Sequence, residues 1–200
     1  MHLPLALEVV TGTAPAFAAS IPDLARLRIA VFREFPYLYE GSLAYEEKYL
    51  ATYTQCPASV AVLVRDSERV VGASTGLPLA AESVEFTQPL LAAGYDPAEI
   101  FYCGESVLLR EYRGRGVYRA FFAAREAHAR SLPGMRWMAL CAVVRAADHP
   151  RRPLDYVPLD AVWAKFGYTQ HPSLTMHYLW QDLDEATPSP KEMVFWLKAL

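Results

Sequence analysis

Apolar and polar positions in this chain recur in two periods, and the changes between them outline its elements. Residues 5–10 are apolar and β-rich and predict a first strand, followed by a loop through Thr11, Gly12, Thr13 and Pro15. Ser20-Ile21-Pro22-Asp23 reads as a helix start, with serine as N-cap and an acid three residues later. Leu24, Leu27 and Val31 then recur at helical spacing and carry that helix to about residue 35. A second helix follows Gly41-Ser42, with Tyr45, Tyr49 and Tyr53 four apart on one face, and ends at Pro57.

Residues 59–65 and 70–78 are two β-rich runs around the turn-like Asp66-Ser67-Glu68, which predicts an antiparallel hairpin. A short helix is expected at 89–93, then a strand at 100–109, a long helix at 117–131 and an apolar strand at 135–144. After a proline-rich loop at 149–158, residues 159–166 predict a helix closed by Gly167. Runs at 175–183 and 193–197 predict two closing strands paired across 186–190. Setting the short helix aside, the order is strand, two helices, three strands, helix, strand, helix, two strands. That order predicts a mixed α/β layer fold around one sheet.

Composition narrows the function classes. Two hundred residues fit one domain. A formal net charge of −3 argues against a general nucleic-acid binder. No apolar run approaches the roughly 20 residues that span a bilayer, so neither nucleic acid nor membrane is an expected partner. Ala16-Phe17-Ala18-Ala19 resembles a cleavage site, yet residues 1–20 lack a basic start, carry Glu8 and are broken by Gly12 and Pro15, so they read as strand and loop. Three dispersed cysteines (Cys56, Cys103, Cys141) fit reduced thiols in a cytoplasmic protein, and five histidines without ligand spacing give no metal site.

The stretch Arg113-Gly114-Arg115-Gly116-Val117-Tyr118 carries the most chemistry. It lies between the strand at 100–109 and the helix at 117–131. Two glycines let the backbone approach a ligand closely, and the helix start aims unpaired N–H groups and a positive dipole end into the turn. Such a turn suits a phosphate or pyrophosphate. Arg113, Arg115 and Arg119 add charge, or form a solvated helix start. A Rossmann turn would carry a third glycine where Arg119 stands, and a P-loop would need Gly-Lys-Ser/Thr.

On these residues the chain resembles the GNAT superfamily of acyl-CoA-dependent N-acetyltransferases, across nearly its whole length. The family motif Gln/Arg-x-x-Gly-x-Gly/Ala corresponds to Glu111-Tyr112-Arg113-Gly114-Arg115-Gly116, with Glu departing at the first position. Glu105-Ser106-Val107-Leu108-Leu109 is similar to the strand that binds pantetheine, and Trp163-Ala164-Lys165-Phe166-Gly167-Tyr168 to a Tyr-x-x-x-Gly-Phe helix end. The resemblance implies a GNAT fold of the α/β (α+β) class, with a single mixed, mostly antiparallel central sheet flanked by helices on both sides. It implies acetyl-CoA as co-substrate, no metal, and a small-molecule or peptide amine as acceptor. The alternative it leaves is a non-catalytic acyl-CoA-binding or regulatory module.

The resemblance also implies site residues. Backbone groups of Val107, Leu108 and Leu109 would pair with pantetheine, and amides of Arg113, Gly114, Arg115, Gly116, Val117 and Tyr118 would cradle the pyrophosphate. Acyl transfer needs the amine deprotonated, and a lysine-like amine is neutral in well under about one part in a thousand at pH 7. Glu105, near the emerging thioester, is the expected general base, or else a carboxylate that caps a neighbour or binds a cationic substrate. Tyr39, Tyr45 and Tyr49 are the expected acceptor-side residues, with core packing the other reading of that stripe. Trp163 stands where the family often has a tyrosine acid, and indole cannot donate that proton; Tyr168, Tyr156 and water stay open for the role. Trp180, Phe195 and Trp196 on the closing strands leave a homodimer interface and a completed core both open.

Overall fold

A computed structural model describes residues 5–200. The elements begin with β1 (Ala6–Thr11), α1 (Pro15–Phe32), α2 (Leu43–Gln55), β2 (Val60–Asp66), β3 (Arg69–Pro78) and α3 (Val84–Ala92). They continue with β4 (Ile100–Cys103), β5 (Ser106–Leu108), α4 (Val117–Ser131), β6 (Trp137–Val143), α5 (Asp160–Lys165), β7 (Thr169–Trp180) and β8 (Ser189–Ala199). One sheet holds all the strands in the order β1-β2-β3-β4-β6-β8-β7, with β5 paired to β3. Every pairing is antiparallel except β4 with β6. This is the mixed, mostly antiparallel sheet that the family resemblance implies. Among the described residues no helix is long and apolar enough to cross a membrane.

Strand alternation sorts the core into two sides. Ala61 and Leu63 point to the side packed with Phe17 and Leu24 of α1, Leu50 and Tyr53 of α2, and Phe86 and Leu90 of α3. Val60, Val62 and Val64 point to the opposite side, where Phe121 and Phe122 of α4 and Trp163 of α5 pack. Trp180, Phe195 and Trp196 are buried in these clusters, so they complete the core and offer no side chains to a partner.

Several predicted boundaries move. α1 begins at Pro15, which sits in the first helical turn where its missing N–H costs nothing. The buried series Phe17, Ser20, Leu24, Leu27 shows the apolar stripe already running there. Ser20 is therefore inside the helix, its hydroxyl donating to the Phe17 carbonyl at 2.7 Å. α3 likewise starts at Val84, ahead of Pro89, because Phe86 and Leu90 form its buried face. Ser42 caps α2 as expected, accepting from the Tyr45 amide.

The predicted strand 100–109 is two strands, and the break is the main departure from the sequence reading. Tyr102 pairs with Leu77, but Ser106 pairs with Ser74, so β4–β5 carries one extra residue against β3. Such a bulge bends the strand and ends its pairing on one side. β4 pairs with β6 only as far as Cys103 opposite Leu140. Beyond it, β5 stays with β3, while Cys141, Ala142 and Val143 pair with β8 alone. The sheet is thereby split between β5 and β6.

Gly104 makes the break possible. A Cβ there would stand 1.9 Å from the Tyr53 hydroxyl oxygen and 3.0 Å from Thr75 Oγ1. Gly104→Ala is expected to lower stability by roughly 1–3 kcal/mol through overpacking, a fall in Tm of about 2–12 °C for a chain of this size. Thermal denaturation followed by circular dichroism checks it, and an unchanged Tm would show that the bulge has room to spare.

Candidate active site

The split in the sheet opens onto a cleft of about 1190 Å3. Its walls include Gly104, Glu105, Ser106 and Leu108 on one side, Cys141 to Val144 on the other, and Gly114, Gly116, Val117 and Tyr118 at the helix start. Gly114 (φ +77°) and Gly116 (φ +79°) both take the left-handed conformation that side chains resist, and open space surrounds their missing Cβ positions. Among the described residues, no backbone carbonyl accepts from the amides of residues 114–118 outside helical bonding. The turn therefore presents donors and the α4 dipole to the cleft.

The arginines of this stretch divide. Arg113 lines the cleft, its Nε donating to the Leu108 carbonyl at 3.2 Å and its Nη1 pairing with Glu34 at 3.0 Å. The Arg115 side chain turns away, bonding the Glu111 carbonyl at 3.0 Å and covering the Tyr112 ring. Arg119 is exposed and is not part of the cleft wall. Arg125 is fully buried and holds the bulge from below, its Nη1 donating to the carbonyls of Glu105 at 3.0 Å and Thr75 at 3.4 Å.

Strand register decides which backbone groups of β5 face the cleft. The bonds from Thr75 N to Glu105 O and from Leu109 N to Val71 O put the odd-numbered residues toward β3. Val107 and Leu109 thus spend their backbone groups inside the sheet, a correction to the expected pairing set. Ser106 and Leu108 present theirs to the gap. Their carbonyls there accept from the Tyr118 hydroxyl at 2.8 Å and from Arg113.

Glu105 sits on the bulge with its side chain fully buried. One oxygen pairs with Arg28 Nη1, and the other has no hydrogen-bond partner. Arg28 of α1 also pairs through Nε with Glu46 of α2, which is equally buried and has one unpartnered oxygen. Burial works against the Arg28 charge, but the two carboxylates outweigh it and hold the guanidinium protonated. Burial lifts the Glu105 carboxyl above the usual carboxylate range, with Arg28 pulling the other way.

Arg28 and Glu46 belong to a second, smaller cavity of about 80 Å3. Tyr39, Tyr45 and Tyr49 line it, together with Phe86, Tyr102, Tyr178 and Trp180. Tyr53, the last of the stripe, is in the core. Phe32, Tyr37, Gly104 and Cys141 line both cavities, so the two meet at the bulge. Burial pushes the Cys141 thiol well up, leaving it un-ionised at neutral pH. Trp163 lines the cleft and packs edge-on against Trp196 at 5.2 Å. Tyr168 is buried against Met138 and Cys103, away from the cleft, whereas Tyr156 lines it and packs on Phe35.

No protein-family model matches the sequence, and no curated protein sequence is significantly similar to it. Solved structures are similar in fold. An acetyltransferase from Thermus thermophilus superposes with a TM-score of 0.55 at 18% identity over 100% of both chains. NAA60 of Arabidopsis thaliana, in complex with acetyl-CoA, gives 0.63 at 15% identity over 98% of this chain and 99% of that one. The putative acetyltransferase yncA from Salmonella typhimurium, with its cofactor acetyl-CoA, gives 0.61 at 11% identity over 98% and 94%. The fold is that of the GNAT acetyltransferases. In this GNAT fold the glycine turn and the split sheet line one cleft, and the aromatic cavity adjoins it at Gly104 and Cys141.

Glu82 is a site-region residue the sequence did not disclose. It follows β3, its Oε2 accepts from the Ser83 amide at 3.3 Å, and its Oε1 is buried without a partner. Burial pushes its carboxyl up to about 7, with the Ser83 amide opposing and Glu105 adding to the rise. Nothing in Ala80-Ala81-Glu82-Ser83 signals this, because the burial comes from the fold. In the unfolded chain the group ionises near 4.5. Between pH 4.5 and 7 the unfolded state therefore loses its proton first, and native stability falls as pH rises through that window. Glu82→Gln is expected to remove the fall, stabilising the protein by up to about 3 kcal/mol at pH 8 and by nothing near pH 4. Urea denaturation at the two pH values tests this, and an equal difference at both would refute it.

Proposed function

We propose that the protein is an acetyl-CoA-dependent N-acetyltransferase that moves an acetyl group to a primary amine of a small molecule or peptide. The observation that carries this reading is the meeting of the two cavities at Gly104 and Cys141, with the glycine turn at the far end of the larger one. The amides of residues 114–118 fit the pyrophosphate of CoA, and the free edge of Ser106 and Leu108 fits the pantetheine amides as an added strand. Acetyl-CoA supplies the activated acyl group. The rest falls to the chain.

In the reaction the amine nitrogen forms a bond to the thioester carbonyl carbon and gives up a proton, and the carbon–sulfur bond breaks. Direct attack is favoured over an acyl-enzyme because Cys141, the thiol at the junction, is held un-ionised by burial. Glu105 takes the amine proton, directly or through water. Its raised proton affinity and its unpartnered oxygen on the bulge support this role. The departing sulfur takes a proton from water in the cleft. Tyr37 lines both cavities, but burial holds its proton too tightly for it to serve as that acid.

A second reading, a non-catalytic acyl-CoA-binding module, draws on Trp163, which stands in the cleft wall where a tyrosine acid would serve. Calorimetric titration with acetyl-CoA, desulfo-CoA and NADH separates the possibilities. Micromolar binding of both CoA compounds is expected, abolished in Gly116→Glu, which puts a carboxylate among the turn amides. Heat with NADH alone would overturn the CoA assignment. Release of free CoA with a panel of amines then tests turnover, and its absence with every amine would favour the binding module. Glu105→Gln is expected to cut kcat by about 10²–10⁴-fold with acetyl-CoA affinity little changed; wild-type turnover would remove Glu105 as the base.

A further inference from the structure

The smaller cavity has a chemical character of its own. Among the described residues, nine aromatic side chains, Tyr39, Tyr45, Tyr49, Phe86 and Tyr178 among them, contribute to a wall whose only charged members are Arg28 and Glu46. The positive member is already engaged. Arg28 gives Nε to Glu46 and Nη1 to Glu105, and its guanidinium lies against the rings of Phe32 at 5.0 Å and Tyr49 at 4.5 Å. The negative member is engaged on one side only. Glu46 is wholly buried, its Oε2 takes Arg28, and its Oε1, near the Tyr39 hydroxyl, is left without a hydrogen-bond partner. Glu46 and Glu105 share the guanidinium of Arg28; Arg125 reaches only the Glu105 side of the bulge, so Glu46 has no cation of its own, and Glu82 adds none.

A buried carboxylate oxygen without a donor is costly unless something supplies one. Aromatic faces are electron-rich and attract cations where water is excluded. The volume limits what can enter. At 10–15 Å3 per water-sized occupant, 80 Å3 holds on the order of five to eight heavy atoms. Across its outer side, the hydroxyls of Tyr45 on α2 and Tyr178 on β7 bond at 3.0 Å.

From this geometry we propose that the small cavity selects a short aliphatic primary amine, taken up as its ammonium, with Glu46 as the residue that holds the charge and the aromatic rings covering the chain. The proposal rests on the transferase reading only in treating this cavity as the acceptor side. The acceptor so defined is slender and cationic rather than anionic.

Equilibrium binding to the unmodified protein tests it without requiring turnover. Trp180, in the cavity wall, provides a fluorescence signal, and calorimetry a second readout. The probes are n-alkylamines from ethyl to hexyl, n-butanol, butyrate, and an Ala-initiated hexapeptide. The expected result is affinity that rises with chain length up to about the size limit, with n-butylamine at least about tenfold tighter than n-butanol and butyrate not bound. Glu46→Gln is expected to erase the preference for amine over alcohol; should that variant fail to fold, the comparison of uncharged, cationic and anionic probes decides alone. Equal binding of alcohol and amine, tighter binding of butyrate, tighter binding of the hexapeptide than of any alkylamine, or no binding of any probe would each overturn the proposal. Because CoA is absent from these titrations, their outcome is separate from that of the acetyl-CoA experiment.

Discussion

One guanidinium ties together the three parts on which the site depends. Arg28 lies on α1 and binds Glu46 on α2 and Glu105 on the strand bulge, all with buried side chains. A buried ion cluster is a weak source of net stability, since desolvation offsets most of the attraction. What it supplies is direction. Each charged hydrogen bond has a preferred geometry, so the two helices are fixed relative to the point where the sheet divides. Arg125 reaches the same bulge from α4 on the opposite face and holds its carbonyls at Thr75 and Glu105. The bulge is therefore clamped from both layers, and the gap between β5 and β6 keeps its shape although no strand bridges it.

A second buried cluster sets the far wall. Arg145, just after β6, donates to the backbone carbonyls of Pro36 and Tyr37 at 2.7 and 2.8 Å and pairs with Asp182 at 2.7 Å. Trp180 adds its indole N–H to the same carboxylate, and Lys191 approaches it at 3.8 Å. These bonds hold the connection between α1 and α2, where Tyr37 and Tyr39 arise. The aromatic wall is thus placed by charged groups that never enter the cavity. A non-helical connection needs its carbonyls satisfied from elsewhere, and Arg145 satisfies those of Pro36 and Tyr37.

Much of the fold was legible because its elements are strongly periodic. The hairpin of β2 and β3, the helix start at Ser42, and the junction of strand, glycine turn and α4 can be read from local patterns. The sequence sets the starts of α1 and α3 too late, α1 by the capping pattern at Ser20 and Asp23 and α3 at Pro89, while tertiary packing of Phe17 and Phe86 begins each helix earlier. The bulge at Gly104 is missed because residues 100–109 read as one strand, although a lone glycine inside a strand pattern is itself a bulge signal. In the candidate site, the glycine turn was visible because positive φ demands glycine. The roles of Arg28, Glu82 and Arg145 were not, because each depends on burial or on contacts far apart in sequence, such as Arg28 with Glu105 and Arg145 with Tyr37. Tyr49 and Tyr53 illustrate the limit: they share one helix face, yet one lines the cavity and the other packs in the core.

The free edge of β5 shows how binding and preorganisation trade against each other here. The carbonyls of Ser106 and Leu108 face the gap, and the chain's own side chains satisfy them: Tyr118 for the first, Arg113 for the second. An added strand in the gap competes for these acceptors, so part of its hydrogen bonding is exchange rather than gain. The exchange is not symmetrical. Tyr118 is largely enclosed by the cleft wall and α4, whereas Arg113 is half-exposed and precedes Gly114 in the turn. In the proposed binding mode, a guanidinium released from Leu108 would remain next to Gly114 and the open amides of residues 114–118, where the ligand's anion would meet it. That mode would link occupation of the strand edge to charge at the glycine turn through one side chain, spreading the binding energy of a long ligand over both ends of the cleft.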